Sequence, residues 1–349
     1  MLYPRSLSVF LSIALLVLAG CGQGKKKELS AGTPTGKGER EVVVYTALDR
    51  EFSDPILKEF EAKTGIKVKP VYDTEATKTT GMVNRIIAEK DRPQCDVFWN
   101  NEIVRTIKLK SMGLLQPYAS PSAKDIPPFM KDAEGFWTGF AARGRVLIYN
   151  TEKVKSDAAP RTLAQLANFG SQAGIAKPLF GTTSTHVAVL FATHGAHDTQ
   201  QLLMGLKAKG VTVCSGNASV CNDVVAGRLS VGLTDTDDAH VALLKKSPIA
   251  IVYPDQDGAG MLLIPNSVSI VKNCPHLEEA KQLVDFLLSK EVEAKLAACP
   301  SAQIPVRPDV PGPIGLTGMD KVKRMEVDFT KAAEQLEPAA KFVSEEFLK

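Results

Sequence analysis

The sequence is poor in aromatic residues and in net charge, and it lacks several signatures of catalytic sites. Aromatic residues make up only 6% of the 349 positions, which argues against a carbohydrate site built on stacked rings. Lys and Arg total 42 against 39 Asp and Glu, with no extended basic tract after residue 40, so nucleic-acid binding is not indicated. No G-x-S-x-G, P-loop or H-E-x-x-H motif is present, and we therefore predict a protein that is not an enzyme.

The chain does have a globular composition with alternating strand and helix patterns. Hydrophobic residues make up 44% of it. Single cores stop growing at about 250–300 residues, so two lobes are expected. A β-branched run at 41–45 predicts a strand, and Phe52, Ile56 and Phe60 recur at helical spacing before Gly65. This alternation continues and predicts an α/β fold around a parallel sheet, in which ligands bind at the carboxyl ends of the strands.

The N-terminus has the pattern of an export signal. Arg5 precedes an apolar run at 7–19, which is shorter than the roughly 20 residues needed to span a bilayer. The ending Leu-Ala-Gly-Cys21 looks like a bacterial lipobox, so we predict a signal peptide at 1–20, lipidation of Cys21 and a polar tether at 21–40. The protein would then be periplasmic or at the cell surface, anchored to a membrane by lipid. The alternative is an ordinary signal peptide with an unrelated cysteine.

The other cysteines would lie in a compartment that permits disulfides. Cys214 and Cys221 flank a turn-rich stretch and can close a small loop, while Cys274 and Cys299 flank a predicted helical region. These two pairings leave Cys95 free. Connectivity does not follow from spacing, and reduced, buried cysteines remain the alternative.

Polar residues follow several predicted strands. Three such places are Thr46 with Asp49, Thr79 with Thr80, and Asn100 with Asn101. A fourth is the acidic stretch after the strand at 229–234, which contains Asp235, Asp237 and Asp238. The simpler interpretation is that some of these aspartates cap a helix at 239–245.

A run of hydroxyl residues lies between a strand at 175–178 and a helix predicted at 186–194. Thr182, Thr183 and Ser184 there would provide hydroxyls and free amide groups for an anion, unless they serve only as a helix cap. Arg143 and Arg145 can add positive charge to the same anion, or form a structural ion pair. The histidines show no chelating spacing on one helix, so no metal site is predicted from them.

The order of these segments resembles a known family. The segments VVVYTA, FEAKTGIKV, CDVFWNNE, RGRVLIYNT and SVGLTDTDDA, together with a late IPVRP, are similar to solute-binding lipoproteins of bacterial ABC importers, in the ferric-binding-protein-like and phosphonate-binding-like subgroup. The resemblance implies a two-lobed, hinge-linked periplasmic-binding-protein fold of type II. Lobe one would be 41–144 with 266–318, and lobe two 145–265 with 319–349. It also implies a monomer that closes on a small solute and is presented to a membrane permease, with no cofactor.

The sequence departs from the iron-binding pattern of that family. Ferric binders of this type hold iron with two adjacent tyrosines, a histidine and a carboxylate, and their anion binds at the loop matching 181–184. Here Asp237 and Asp238 replace the tyrosines, Asp49 the histidine and Asn101 the carboxylate. The main hypothesis is therefore a zwitterionic organophosphorus ligand such as an aminoalkylphosphonate, with its ammonium at the aspartates. The alternatives are ferric iron held by carboxylates with a synergistic anion and, more distantly, a secreted hydrolase.

Overall fold

The computed structural model describes residues 40–74, 78–316 and 321–349, so Cys21 and its predicted lipidation lie outside the described residues. The strands are β1 Glu41–Thr46, β2 Lys67–Tyr72, β3 Val97–Asn100, β4 Leu115–Gln116, β5 Thr138–Asn150, β6 Ala173–Ala176, β7 Thr212–Cys214, β8 Val231–Asp235, β9 Ile249–Val252 and β10 Leu263–Val271. The helices are α1 Arg50–Thr64, α2 Thr80–Ala88, α3 Val104–Ser111, α4 Gly181–His194, α5 Ala196–Ala208, α6 Asn217–Val225, α7 Thr236–Leu244, α8 Leu277–Leu287, α9 Lys290–Ala298, α10 Phe329–Glu334 and α11 Leu336–Phe342. Shorter 3₁₀ segments lie at Pro121–Ala123, Pro128–Met130 and Ala164–Gln172, and a π turn lies at Val343–Phe347.

The strands form a mixed sheet with the order β2-β1-β3-β10-β5-β8-β6-β7, while β4 pairs with β10 and β9 with β5. Pairing is parallel at both ends of this order, between β1 and its neighbours and between β6 and its neighbours. In the middle, β5 pairs antiparallel with β10 up to Gly144, and with β8 from Arg145 onward. The long strand β5 therefore connects the two parallel parts of the sheet.

The central strands are covered on both faces. Every residue of β5 and of β10 is buried, as expected when helices pack on the two faces of an α/β sheet. The helix α1 ends at Gly65, which takes the left-handed conformation (φ 68°) and donates its backbone N–H to the Glu61 carbonyl. Its position and that of α8 agree with the sequence pattern. Within the described residues, no helix is both long and apolar enough to cross a membrane.

The start of α4 differs from the sequence prediction. The hydroxyl run was expected to be a loop before a helix at 186–194, but the helix begins at Gly181. Thr and Ser have modest helix propensity, so local sequence favours a later start. Tertiary contacts reverse this preference, because the hydroxyls of Thr182, Thr183 and Ser184 bond to side chains of other elements.

The expected disulfide between Cys214 and Cys221 is not formed. Both cysteines are free, the first at the end of β7 and the second inside α6. The Cys214 thiol donates to Asp223 and the Cys221 thiol to the Asp238 carbonyl, so the two sulfurs have separate partners. Burial raises the pKa of Cys214 to about 11 and that of Cys221 to about 12, which keeps both thiols protonated.

The expected pairing of Cys274 with Cys299 is also wrong. Cys274 lies in the turn after β10, where it packs against the same apolar cluster as Cys95. Cys299 ends α9, and its thiol lies 3.1 Å from the Leu296 carbonyl. The sulfurs of Cys274 and Cys299 therefore have different neighbours and form no bond with each other. Cys95 is also free, as predicted.

Candidate solute-binding site

A small cavity of about 30 Å³ lies where several strand ends and helix beginnings meet. Asp235 ends β8, and the first turn of α7 places Asp237 and Asp238 directly beside it. Asp49 precedes α1, and Asn101 follows β3. Because ligands bind at the carboxyl ends of strands in α/β sheets, this is the place where the fold predicts a site.

The cavity gathers about half of the residues predicted from the sequence. The predicted residues that line it are Asp49, Asn101, Thr182, Asp235, Asp237 and Asp238, and Arg143 lines it with them. The predicted residues that lie outside its lining are Thr46, Thr79, Thr80, Asn100, Arg145, Thr183 and Ser184.

The first buried ion pair of the site joins Arg145 and Asp235. The Arg145 Nη1 donates to Asp235 Oδ1 at 2.6 Å, and the arginine side chain is fully buried. The other oxygen of Asp235 accepts from Thr182 Oγ1 at 2.6 Å and from Asn217 Nδ2 at 3.1 Å. Burial alone would raise the pKa of Asp235, but Arg145 and Arg143 outweigh it and hold the pKa below its ordinary value. Both oxygens of Asp235 are therefore engaged inside the protein.

The second ion pair joins Arg143 and Asp237, and it is incomplete. The Arg143 Nη1 lies 3.0 Å from Asp237 Oδ2, and both side chains are buried. Within the described residues, the other oxygen of Asp237 has no hydrogen-bond partner, and neither have Nε and Nη2 of Arg143 or Oδ1 of Asn101. A buried polar atom without a partner costs about 1–3 kcal/mol, so these atoms indicate a place where a bound group completes the contacts.

The third carboxylate, Asp238, is the least compensated. Its Oδ2 accepts from Thr234 Oγ1 at 3.0 Å. Asp235, Asp237 and Asp238 each bring an oxygen within 4.8 Å of the others. Burial raises the pKa of Asp237, which Arg143 only partly offsets, and burial with the neighbouring Asp237 raises the pKa of Asp238 well above its ordinary value. Lys78 acts in the opposite direction on both groups, but burial outweighs it.

The hydroxyls at the start of α4 are used within the protein. Thr183 accepts from Arg145 Nη2 at 3.1 Å and donates to Asn217 Oδ1 at 3.0 Å. The Ser184 hydroxyl accepts from Arg105 Nη2 at 3.0 Å. Gly181 and Thr182 line the cavity, and the Gly181 amide donates to the Lys78 carbonyl at 3.3 Å.

The remaining predicted residues support the loops around the site. The Thr46 hydroxyl accepts from the Leu48 amide, and Asn100 Nδ2 donates to Glu102 at 3.0 Å. The Thr79 amide donates to Asp73, and the Thr80 amide to the Lys78 carbonyl. The backbone amides of Thr79 and Thr80 are thus already engaged within the protein.

Sequence analysis did not identify Asn217, which begins α6 and lines the cavity. The stretch before it, at 214–216, was interpreted as part of a disulfide loop. The signal that points to Asn217 is topological, because β7 ends just before it and β6, β7 and β8 are parallel neighbours in the sheet. Lys78 also lines the cavity and pairs with Asp49 at 2.7 Å.

A larger open groove of about 510 Å³ adjoins the small cavity. The two share Asp49, Lys78, Asp237 and Asp238, so the carboxylates are accessible from this groove. Together they form the candidate solute site, in which Asp49, Asp237 and Asp238 lie beside the cations Lys78 and Arg143.

The chain is similar to several known proteins. The chain is 26% identical to "Iron uptake protein A1" of Synechocystis sp., over 94% of this chain and 92% of the relative. It is 27% identical to a "Putative 2-aminoethylphosphonate-binding periplasmic protein" of Salmonella typhi, over 72% of this chain and 73% of the relative. Iron-bound HitA of Pseudomonas aeruginosa superimposes with a TM-score of 0.79 at 24% identity, covering 87% of this chain and 99% of HitA.

The structural match confirms the predicted fold, an α/β periplasmic-binding-protein fold. The profile of the family described as "Bacterial extracellular solute-binding protein" matches residues 56–317, about three quarters of the chain. This family binds solutes and is not enzymatic, which confirms the prediction that the protein is not an enzyme. With its carboxylate-rich site at the strand ends, the chain belongs to the bacterial extracellular solute-binding proteins.

Proposed function

We propose that this protein binds ferric iron outside the cytoplasm and delivers it to the permease of an ABC importer. The observation that carries the proposal is the group of three carboxylates, Asp235, Asp237 and Asp238, which bring oxygens within 4.8 Å of one another, with Asp237 Oδ1 left without a hydrogen-bond partner among the described residues. The relatives named for iron uptake support the same conclusion, because they align over nearly the whole chain.

The available ligand atoms are all oxygens. Asp237 Oδ1 and Asn101 Oδ1 lack partners within the described residues, and Asp238 and Asp49 add carboxylates at the same cavity. Carboxylate and carbonyl oxygens are hard ligands that suit hard cations. Among such cations a trivalent ion is attracted most strongly by a group of three carboxylates.

An anion is expected to bind together with the iron. Arg143 is buried, and its Nε and Nη2 have no partner within the described residues, although Nη1 binds Asp237. The start of α4 faces the same cavity, where the helix dipole favours negative charge. A small oxyanion between Arg143 and the first turn of α4 would therefore accept hydrogen bonds from Arg143 and lie at the positive end of the α4 dipole. It would also occupy a coordination position of the iron.

The organophosphorus hypothesis has less support. It required Thr182, Thr183 and Ser184 to bind a phosphonate, but their hydroxyls are engaged with Asp235, Asn217 and Arg105. A phosphonate would have to displace these bonds or rely on backbone amides and Arg143 alone. The aspartates remain suitable for an ammonium group, so the experiment must compare both ligands.

The test measures iron binding by equilibrium dialysis against ferric nitrilotriacetate, with bound metal determined by mass spectrometry. We expect one ferric ion per chain, and at least a tenfold loss of affinity in Asp237→Asn and Asp238→Asn. Asp223→Asn is the matched control, because this aspartate pairs with the exposed Arg228 outside the site. Among the described residues, no tyrosine lines either cavity, so the loaded protein should show no phenolate-to-iron absorption band in the visible range.

A parallel thermal-shift series uses 2-aminoethylphosphonate without iron. A ligand at one hundred times its dissociation constant stabilises the folded state by about 2.7 kcal/mol, which is readily visible. Stabilisation by the phosphonate alone, lost in Asp237→Asn, would overturn the iron proposal in favour of the organophosphorus ligand. Stabilisation by iron alone would support it.

A further inference from the structure

A second, mostly apolar cavity of about 340 Å³ lies in the part of the chain that follows Arg145. Its floor is formed by Leu147 of β5 and Leu233 of β8, which are paired in register across the sheet. Its walls are formed by α4, α5 and the segment 254–262. It shares no lining residue with the carboxylate site, and we call it the leucine pocket.

The leucine pocket has the size and lining of a small-molecule site. Ligand pockets occupy about 300–1,000 Å³ and are lined mainly by apolar side chains with a few polar groups. Leu147 and Leu233 are joined by further apolar side chains around the cavity, which are Leu163, Leu190, Leu202, Leu262 and Met325. Such a lining excludes a strongly hydrated ligand from the interior.

Apart from two histidines, the ionisable side chains that line the leucine pocket are acidic. Asp255 and Asp198 line it, and none of its lining residues in the described part of the chain is Lys or Arg. Burial raises the pKa of Asp255, and His194 only partly opposes this shift. His186 lines the pocket as a neutral ring, because burial and the nearby Arg145 lower its pKa to about 3. The half-buried Asp255 carboxylate therefore has no strong cation to balance it among the lining residues.

We propose that the leucine pocket binds a small organic cation with a hydrocarbon group, such as a primary alkylamine. Its ammonium group would pair with Asp255, and its hydrocarbon chain would pack against the leucines. A neutral molecule would leave the carboxylate uncompensated, and an anion would be repelled by Asp198 and Asp255. The leucine pocket is thus a second ligand site, separate from the one that takes the transported solute.

The test is calorimetric titration of the iron-free protein with three ligands of equal length, hexylamine, hexanol and hexanoate, at neutral pH. We expect hexylamine to bind at least tenfold more tightly than the other two. Asp255→Asn should remove this preference without disturbing the backbone, because Asp255 has a φ of 56° and Asn accepts this conformation readily. Asp157→Asn, at an exposed position outside the lining, is the matched control.

A second variant tests the hydrocarbon part of the site. Leu202 is only partly buried on α5, so Leu202→Trp should fill the leucine pocket without unfolding the protein, and binding of hexylamine should be lost. Equal affinity for hexylamine and hexanol would overturn the proposed charge preference. Unchanged hexylamine binding in both Asp255→Asn and Leu202→Trp would overturn the location of the site.

Discussion

The buried pair of Arg145 and Asp235 allows a quantitative prediction. The guanidinium of Arg145 donates to Asp235, Thr182, Asn217 and Thr183, and no part of its side chain reaches solvent. Replacing it with methionine keeps much of the volume but removes the charge and these hydrogen bonds. Asp235 would then be buried with only the more distant Arg143 to compensate it.

The expected cost of Arg145→Met is about 3–5 kcal/mol, the usual range when one member of a buried ion pair is removed. Asp235→Leu should cost a similar amount, because it leaves the guanidinium without its carboxylate. The double variant has no unpaired charge at this position, so its cost should be less than the sum of the single costs by about 1.5–3 kcal/mol.

The assay is urea denaturation followed by tryptophan fluorescence. Trp99 and Trp137 are both buried, so unfolding exposes them and changes their emission. The matched control is Arg228→Met, which removes an arginine from an ion pair of comparable length, 2.5 Å to Asp223, at a side chain that is 66% exposed. This control should cost less than about 1 kcal/mol, because surface ion pairs contribute little.

The reasoning would be refuted if Arg145→Met cost no more than Arg228→Met, or if the two single variants at the buried pair were additive. Either result would mean that Arg145 and Asp235 do not depend on each other for their burial. Asp235 would then be available to the solute, and the distinction between a structural Asp235 and the two carboxylates proposed to bind the solute, Asp237 and Asp238, would be lost.

Three further predictions concern other parts of the molecule. The raised pKa of Asp238 means that the folded, iron-free protein binds a proton more readily than the unfolded chain. The free energy of unfolding should therefore fall as pH rises from the ordinary pKa of 3.8 to the raised pKa. Asp238→Asn should flatten this pH dependence in melting curves and stabilise the iron-free protein at neutral pH by about 1–3 kcal/mol. Gly232→Ala should destabilise the protein in urea by about 1–3 kcal/mol because its Cβ would overlap Val220, whereas Gly205→Ala, on open space in α5, should stabilise it by about 0.5–1 kcal/mol. Alkylation of the unfolded, unreduced protein should modify both Cys214 and Cys221 in peptide mass spectra, and a disulfide-linked peptide would contradict the free thiols.

The local elements of this fold could be predicted because each has a short-range signal. The β-branched run of β1, the helical spacing of α1 and the stop at Gly65 are properties of neighbouring residues. The start of α4 was missed because it depends on Arg145 and Arg105, which are distant in the sequence but bind the hydroxyls of its first turn. Long-range contacts of this kind override a local propensity that is weak.

The candidate site, like the fold, could be predicted from the sequence only in part. That Asp235, Asp237 and Asp238 lie together follows from their position after a buried strand, and sequence alone predicted it. The different environments of the three carboxylates could not be predicted in this way. The aspartates lie within four residues and have the same chemistry, and they differ only in how arginines from another strand contact them. The cysteine pairings failed for a related reason, since spacing in the chain does not indicate which way each thiol points.

The two arginines of β5 explain why neighbouring aspartates can have different roles. Arg143 and Arg145 are two residues apart, so they lie on the same face of the strand. Arg145 is paired in register with Asp235 on β8, while Arg143 is opposite Ile264 on β10 and reaches Asp237 with one nitrogen only. The strand therefore pairs fully with the first carboxylate, contacts the second through one nitrogen and has no ion pair with the third, Asp238, which we propose to bind the solute. A cation bound there would relieve the charge imbalance of α7, and it would also contact groups such as Asp49 and Asn101 from the other part of the sheet. Solute binding would in this way hold the two parts together, as expected of a protein that closes around its ligand.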